Sequence, residues 1–237
     1  MRLDKWITSS VPISRKDLKK KLKTTPALVN GEKISNPGFQ VQDEDEVIFE
    51  GERIEKETYR YYLMYKPAGY VCATEDPVSE TVFSIVPQTP KGDLFTVGRL
   101  DKDTEGLLLI TNDGALSHGM LSPKKHVAKT YYLKTKDTIP REAVSLFAEG
   151  IDIGDEKNTL PAKLDILEDN CSALLTITEG RYHQVKRMME KVGTPLFYLK
   201  RLSMGGFVLE DELPLGAYRK LREDELELVK KYRGDSV

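Results

Sequence analysis

The sequence predicts an α+β protein in which a small basic head of two helices and a short sheet precedes a larger domain built on a mixed or antiparallel sheet. Two observations carry this prediction. The first 40 residues contain nine Lys and Arg but only three Asp and Glu, although the whole chain of 237 residues has a formal net charge of −2. Beyond the head, short strand-like segments are mixed with helical ones, without repeats or low-complexity segments. A basic head on an acidic body is typical of a segment that contacts phosphate groups.

Two helices open the head. Leu3, Trp6 and Ile7 have the spacing of one face of a short helix. Ser14 is suited to cap a second helix, predicted over residues 15–23. Leu18, one turn before Leu22, would point toward the core of the head. The basic residues of this helix, which we expect to contact phosphate, are Arg15, Lys16, Lys19, Lys20 and Lys23.

A short sheet completes the head. The Asn30-Gly31 pair between two short apolar runs is typical of a β-hairpin turn, and Val47–Phe49 predicts a closing strand. The charged segment 51–58 predicts a linker. The expected domains are therefore residues 1–55, the basic head, and residues 56–237, the larger domain.

Apolar and alternating segments bounded by turn residues predict the elements of the larger domain. Strands are predicted at residues 61–65, 107–111, 129–134 and 173–178. Helices are predicted at residues 141–149 and around residues 185–192, where Gly193 is a suitable C-cap. This mixture favours an α+β fold over a regular βαβ alternation.

Composition excludes several classes of protein. Cys72 and Cys171 lie far apart and form no CxxC pair, so we interpret them as reduced thiols of a cytoplasmic protein. With three histidines in the chain, no metal site is expected. No apolar run approaches the ~20 residues that span a bilayer, and the N-terminus has no apolar signal region.

The segment Gly98–Gly106 is the first candidate for chemistry. Asp101 follows Gly-Arg-Leu directly, and the apolar run 107–111 comes after a polar turn. This order can hold one carboxylate at the edge of a sheet, beside Arg99 and above a hydrophobic floor. A polar turn in which Asp103 caps the following strand is the alternative interpretation.

The second candidate is the segment Glu179–Met188, a glycine turn between a strand and a helix. Such a turn exposes backbone amides that suit an anion. Lys186 and Arg187 lie near the start of the helix, where positive charge opposes the helix dipole, so they are not placed there to stabilise the helix. A solvated basic helix face is the alternative.

Two further segments place basic residues beside aromatic or rigid ones. In a strand, Lys129 and Tyr131 share one face, and an aromatic ring beside a basic residue can stack on a base and hold its phosphate. Ordinary strand packing of the tyrosine is an equal alternative. The stiff turn after Lys66, which is Pro67-Ala68-Gly69, presents a lysine.

These four motifs, taken in their order along the chain, resemble those of the RNA pseudouridine synthases. The segments Gly69–Pro77 and Tyr182–Met188, with Gly205-Gly206 and Leu215–Arg219, are similar to the members that modify small-subunit ribosomal RNA. The head resembles a small RNA-binding domain that also occurs in a small-subunit ribosomal protein. The similarity extends over nearly the whole chain.

The resemblance implies roles for individual residues. Asp101 would be the catalytic carboxylate, acting on a uridine that is flipped out of the RNA. Lys186 would pair with Asp101 and keep it charged, and Tyr131 would stack on the flipped base. Contacts to RNA would come from Arg99, Lys129, Arg181, Arg187 and Lys66, in addition to the basic residues of the head. For Arg99, a structural salt bridge to Asp101 is the alternative.

The implied reaction isomerises uridine 516 of 16S ribosomal RNA to pseudouridine. It needs neither a cofactor nor a metal ion, because no redox step and no external group take part. We expect a cytoplasmic monomer, without membrane partners, that acts on the small-subunit RNA or on its ribonucleoprotein assembly intermediate. Two alternatives remain open: a synthase for large-subunit or another RNA, and a non-catalytic RNA-binding protein of ribosome assembly. Whether Asp101 attacks the sugar, attacks the ring or removes a sugar proton is also open.

Overall fold

The computed structural model describes residues 1–11, 13–55, 59–86, 88 and 93–234. The chain forms two compact units, Met1–Tyr59 and a second that begins at Arg60. The first unit has one hydrophobic core, and the second has one on each face of its sheet. The α+β fold class is confirmed. Among the helices of the described residues, none is both long and apolar enough to cross a membrane.

Within its described residues, the first unit contains two helices and a four-stranded antiparallel sheet with the strand order β2-β1-β3-β4. Its elements are α1 (Leu3–Thr8), α2 (Arg15–Lys21), β1 (Ala27–Val29), β2 (Glu32–Ile34), β3 (Val47–Phe49) and β4 (Glu52–Arg53). The predicted apolar face of α1 is buried, as are Leu18 and Leu22. Asn30 and Gly31 adopt φ angles of 49° and 85°, which a type I′ hairpin turn requires.

Helix α2 starts where the sequence predicts and ends two residues earlier. The Ser14 hydroxyl accepts a hydrogen bond from the backbone amide of Asp17, as expected of an N-cap. The helix ends at Lys21, so Lys23 lies in the turn that follows it. The basic residues of the predicted helix are therefore not all helical.

The predicted linker is wrong at its start. Glu52 and Arg53 form β4, and Ile54 is part of the core of the first unit. The indole Nε1 of Trp6 donates a hydrogen bond of 2.9 Å to the carbonyl oxygen of Ile54, which fixes this stretch to α1. Residues 51–55 therefore belong to the head, and residues 56–58 lie outside the described residues.

The second unit has a nine-stranded sheet and four α-helices within the described part of the chain. The strands are β5 (Tyr61–Lys66), β6 (Phe95–Thr96), β7 (Glu105–Thr111), β8 (Lys129–Thr135), β9 (Lys163–Ile166), β10 (Ser172–Ile177), β11 (Leu196–Met204), β12 (Phe207–Val208) and β13 (Tyr218–Lys220). The helices are α3 (Gly114–Leu121), α4 (Ala143–Glu149), α5 (Gln184–Lys191) and α6 (Glu223–Arg233). Four predicted strands correspond to β5, β7, β8 and β10.

The sheet follows the order β13-β5-β7-β11-β8-β10-β9, with β6 beside β7 and β12 beside β11. The pair β7 and β11 is parallel, and the other pairs are antiparallel. Strand β7 is a continuous apolar run because both of its faces are covered. Leu108 and Ile110 face one core, whereas Leu107 and Leu109 face the other.

Gly106 permits the close approach of β11 to the segment that carries Asp101. It pairs with Arg201 in the parallel register of β7 and β11. A Cβ atom at Gly106 would lie 2.3 Å from the carbonyl oxygen of Arg201 and 2.4 Å from its backbone nitrogen. Its φ of 117° is a further reason that only glycine fits.

We expect Gly106→Ala to lower the free energy of unfolding by roughly 2 kcal/mol or more, because backbone strain and overpacking act together. Gly216→Ala is the matched control, since Gly216 also has a positive φ of 82° but no atom within 4 Å of its added Cβ. Urea unfolding of the two variants measures the difference. If Gly106→Ala and Gly216→Ala were destabilised equally, the close packing of β11 against Gly106 would add nothing to the cost of the substitution.

Candidate active site

Asp101 lies in a short turn just before β7. The backbone amide of Thr104 donates to the carbonyl oxygen of Asp101 at 3.1 Å, and this bond closes the turn. The amide of Leu100 donates to the thiol sulfur of Cys72 at 3.3 Å, and the Leu100 side chain is buried. These contacts fix the backbone on either side of Asp101, whose side chain remains 28% exposed.

Lys66 holds the same turn from inside the protein. The side chain is fully buried, and its Nζ donates to the carbonyl oxygens of Thr104 at 2.8 Å, Pro67 at 3.0 Å and Asp101 at 3.1 Å. Burial lowers the pKa of Lys66, although Cys72 and nearby carboxylates oppose this. Because the ammonium group is enclosed, the structure gives Lys66 a structural role in place of the expected RNA contact.

Lys186 lies beside the Asp101 carboxylate. It is in the first turn of α5, and its Nζ is 3.0 Å from Asp101 Oδ2 and 2.6 Å from Asp103 Oδ1. Burial alone would lower the pKa of Lys186, but the two carboxylates outweigh it and the net pKa is raised. The pKa of Asp103 is lowered, because Lys186 outweighs the opposing effect of burial. Lys186 is therefore a cation at neutral pH.

His183 is a second neighbour of Asp101, which the sequence analysis did not identify. Its Nε2 lies 3.5 Å from Asp101 Oδ1, and its backbone has the left-handed φ of 48° just before α5. Its ring stacks on that of Tyr182 with 3.9 Å between centroids, while Tyr182 is 76% exposed. The histidine within the Tyr182–Met188 run was the signal available in the sequence.

Asp101 and Lys186 line a cavity of about 140 Å³. Tyr131 and Lys129 line it from β8, where alternation buries both on one face, as predicted. A cavity of this volume has room for several water molecules, since one water needs roughly 10–15 Å³. The cavity thus brings together Asp101, Tyr131 and Lys186, with Lys129 beside them.

Two buried cations, Lys129 and Arg201, also line this cavity. Lys129 Nζ donates to the carbonyl oxygen of Val127 at 2.8 Å. Burial, with a smaller contribution from Arg201, lowers the pKa of Lys129 to about 8, against an opposing effect of Glu179. Arg201, on β11, donates from Nε to the carbonyl oxygen of Leu107 at 2.8 Å. The sequence analysis missed Arg201 because it predicted no strand there.

Arg181 and Arg187 are engaged with the protein itself. Arg187 Nη1 lies 2.7 Å from Asp155 Oδ1, and Arg181 Nη1 lies 3.3 Å from Asp155 Oδ2. Arg181 also pairs with Glu179 at 3.0 Å, and its backbone amide donates to the Gln184 side chain. Both guanidinium groups therefore bind residues near 155, and the amide of Arg181 is not free for an anion.

Arg99 is exposed and lines the same cavity as Asp101. Within the described residues, Asp101 forms an ion pair with Lys186 and lies close to the His183 ring, and it forms no ion pair with Arg99. The alternative of a structural Arg99–Asp101 salt bridge is therefore not observed, and the Arg99 side chain faces solvent at the site.

A comparison with known families decides the class of protein to which this geometry belongs. The family model described as RNA pseudouridylate synthase matches residues 60–191, which cover the turn of Asp101, strand β8 and helix α5. The chain belongs to the RNA pseudouridylate synthase family. It is therefore a pseudouridine synthase, an isomerase.

Full-length relatives agree with this assignment. The chain is 44% identical over 234 residues to an uncharacterized RNA pseudouridine synthase of Bacillus subtilis, covering 97% of this chain and 98% of the relative. It is 40% identical to the ribosomal small subunit pseudouridine synthase A of Haemophilus influenzae, covering 98% of this chain and 100% of the relative. The enzyme of the same name from Escherichia coli is 38% identical, with 97% and 100% covered.

A solved structure extends the similarity to three dimensions. The crystal structure of a pseudouridylate synthase matches 97% of this synthase with 99% of its own chain, at 38% identity and a TM-score of 0.69. The match therefore includes the basic first unit as well as the large sheet.

Proposed function

We propose that this synthase converts uridine 516 of 16S ribosomal RNA to pseudouridine, with Asp101 as the catalytic carboxylate. The observation that carries the proposal is the 3.0 Å pair of Lys186 and Asp101 at a cavity that Tyr131 also lines. Relatives named for the small ribosomal subunit, similar along their whole length, support the choice of RNA. The substrate is the RNA or its assembly intermediate, and the synthase acts as a cytoplasmic monomer.

The reaction places three demands on the cavity. The target base leaves its stack, which costs a few kcal/mol and is offset by contacts in the pocket. Tyr131, buried on the face of β8 that lines the cavity, offers a ring on which the uracil stacks. Asp101 acts as an ionised carboxylate, and the protonated Lys186 stabilises that charge. No atom is gained or lost, so the isomerisation draws on no cofactor.

The basic residues of the head bind RNA phosphates in this proposal. Their side chains are exposed, and among the described residues they form no ion pair: Arg15, Lys16, Lys19, Lys20 and Lys23. Lys21, in the same helix, instead pairs with Glu50 at 2.7 Å. The five exposed cations are therefore available to a polyanion, whereas Lys21 is already neutralised.

We expect replacement of these five residues by Ala to weaken RNA binding and to flatten its salt dependence. If all five contact phosphate, the slope of log K against log salt should fall by roughly 3–4, at about 0.7 for each contact to a single strand. Filter binding at several salt concentrations measures the slope, and Lys21→Ala is the control that should leave it nearly unchanged. An unaltered slope in the fivefold variant would mean that these side chains only face solvent.

The proposed function is tested with purified protein and 16S ribosomal RNA, alone or in partly assembled subunits. We expect pseudouridine at position 516, and its loss from cells that lack the protein. Modification of a different RNA would move the assignment to another substrate. Binding without any modification would favour a non-catalytic role in assembly.

A further inference from the structure

We propose that Arg201 and Lys129 bind the carbonyl oxygens of the uracil ring and stabilise the negative charge that the ring acquires when its bond to the sugar breaks. This inference rests on the proposed function, because it assumes a uridine in the cavity. It assigns to Arg201 a role in substrate recognition, and it moves Lys129 from phosphate binding to base binding.

Arg201 has a hydrogen-bond donor that lacks a partner among the described residues. The residue is 2% exposed, and its Nε is held by the carbonyl oxygen of Leu107. Its Nη2 is buried and makes no hydrogen bond, although the residue lines the cavity. An unpaired buried donor is costly, so a rotation of the guanidinium that turns this donor toward a ligand's acceptor in the cavity would be favoured.

Lys129 adds a second cation next to the first. One of its three ammonium donors is used by the carbonyl oxygen of Val127, which leaves capacity for a ligand. The repulsion between Lys129 and Arg201 contributes to the low proton affinity of Lys129. The nearby carboxylate of Glu179 is already bound by Arg181 and by Gln184. The carboxylate of Glu179 therefore neutralises little of the charge of these two buried cations. Such a pair favours a ligand that carries or develops negative charge.

The sheet fixes where these donors lie relative to a stacked base. Arg201 is paired with Tyr131 in the register of β11 and β8. Gly106 lets the backbone of Arg201 pack tightly against β7, at the end of the segment that carries Asp101. A base stacked on Tyr131 is therefore beside Arg201, with the carboxylate of Asp101 at the same cavity.

The chemistry needs such donors. When the bond between C1′ and N1 breaks, its electron pair stays on the ring, and the charge is shared by the two carbonyl oxygens. The ring then bonds to C1′ through C5, C5 loses its proton and N1 gains one, so that all atoms balance. Fixed donors aimed at the developing charge lower the barrier of the first step. A cytosine would present an amino group, itself a donor, in place of one carbonyl oxygen.

The test compares target RNAs that carry uridine or 5-fluorouridine at the modified position, in single-turnover cleavage of the glycosidic bond. Fluorine withdraws electrons and stabilises the ring anion without help from the protein. We expect Arg201→Gln and Lys129→Met to react about 10²-fold more slowly with uridine, the typical loss for one such donor, and to lose much less with 5-fluorouridine. Arg99→Gln, which removes an exposed cation of the same cavity, should weaken binding equally for both RNAs.

A second readout uses pH and does not depend on the folding of the Arg201 variant. For the wild type, kcat/KM should fall as pH rises through about 8, where Lys129 loses its proton. In Lys129→Met this fall of kcat/KM near pH 8 should be absent. The charged groups that face Lys129 are Arg201 on β11 and Glu179 after β10, with Asp101, Lys186 and His183 across the cavity.

The outcomes separate this inference from the proposed function. If the wild type modifies the RNA but both variants lose equal rate with uridine and 5-fluorouridine, the charge-stabilising role is overturned. If kcat/KM of Lys129→Met still fell as pH rises through about 8, the charge-stabilising role would also be overturned. If the wild type modifies no RNA, the proposed function itself fails.

Discussion

Asp101→Asn is expected to abolish pseudouridine formation while RNA affinity stays within a few fold of the wild type. The amide has the same size but is neither a useful nucleophile nor a base, so every route that uses Asp101 is blocked. Affinity depends mainly on phosphate contacts, which the substitution leaves in place. Lys186 keeps Asp103 as a partner at 2.6 Å, so the local fold should persist.

Asp103→Asn is the matched control for this experiment. It makes the same chemical change two residues away, at a carboxylate that also contacts Lys186 but is 73% exposed. Quantitative pseudouridine mapping with both purified variants, together with binding curves, gives the comparison. We expect substantial turnover from Asp103→Asn and none from Asp101→Asn. Near-normal turnover by Asp101→Asn would show that Asp101 takes no part in the chemical reaction.

Lys186→Met is expected to reduce turnover at neutral pH by about 10²-fold. The substitution removes both the positional restraint on Asp101 and the positive charge beside its carboxylate. Lys186→Arg keeps the charge and should keep much of the activity.

The turnover of Lys186→Met compared with that of Lys186→Arg is the measurement that decides this point. If Lys186→Arg lost as much activity as Lys186→Met, the positive charge beside Asp101 would not be what the reaction needs. The loss would then come from disturbed packing at the start of α5.

Local patterns predicted many elements correctly, because their causes lie within a few residues. The cap at Ser14, the hairpin at Asn30-Gly31 and the alternation along β8 depend on short-range hydrogen bonding or on the period of a strand. Strand β11 was missed because its run mixes apolar, aromatic and basic residues. Its basic residues have different surroundings, since Lys200 lies over the Tyr65 ring whereas Arg201 is buried.

The sequence by itself determined the order of the motifs, and with it the residues Asp101, Tyr131 and Lys186 that the fold brings to one cavity. Only the tertiary structure decided what each cation does. Lys66, Arg181 and Arg187 are basic residues of the kind that bind RNA. In the structure, however, they bind carbonyl oxygens or carboxylates of the protein itself. Arg201, in contrast, lines the cavity and keeps a buried donor that no described residue binds. The physical reason is that the partners of a charged side chain come from distant segments, and those segments meet only when β7, β8 and β11 pair and α5 packs beside them.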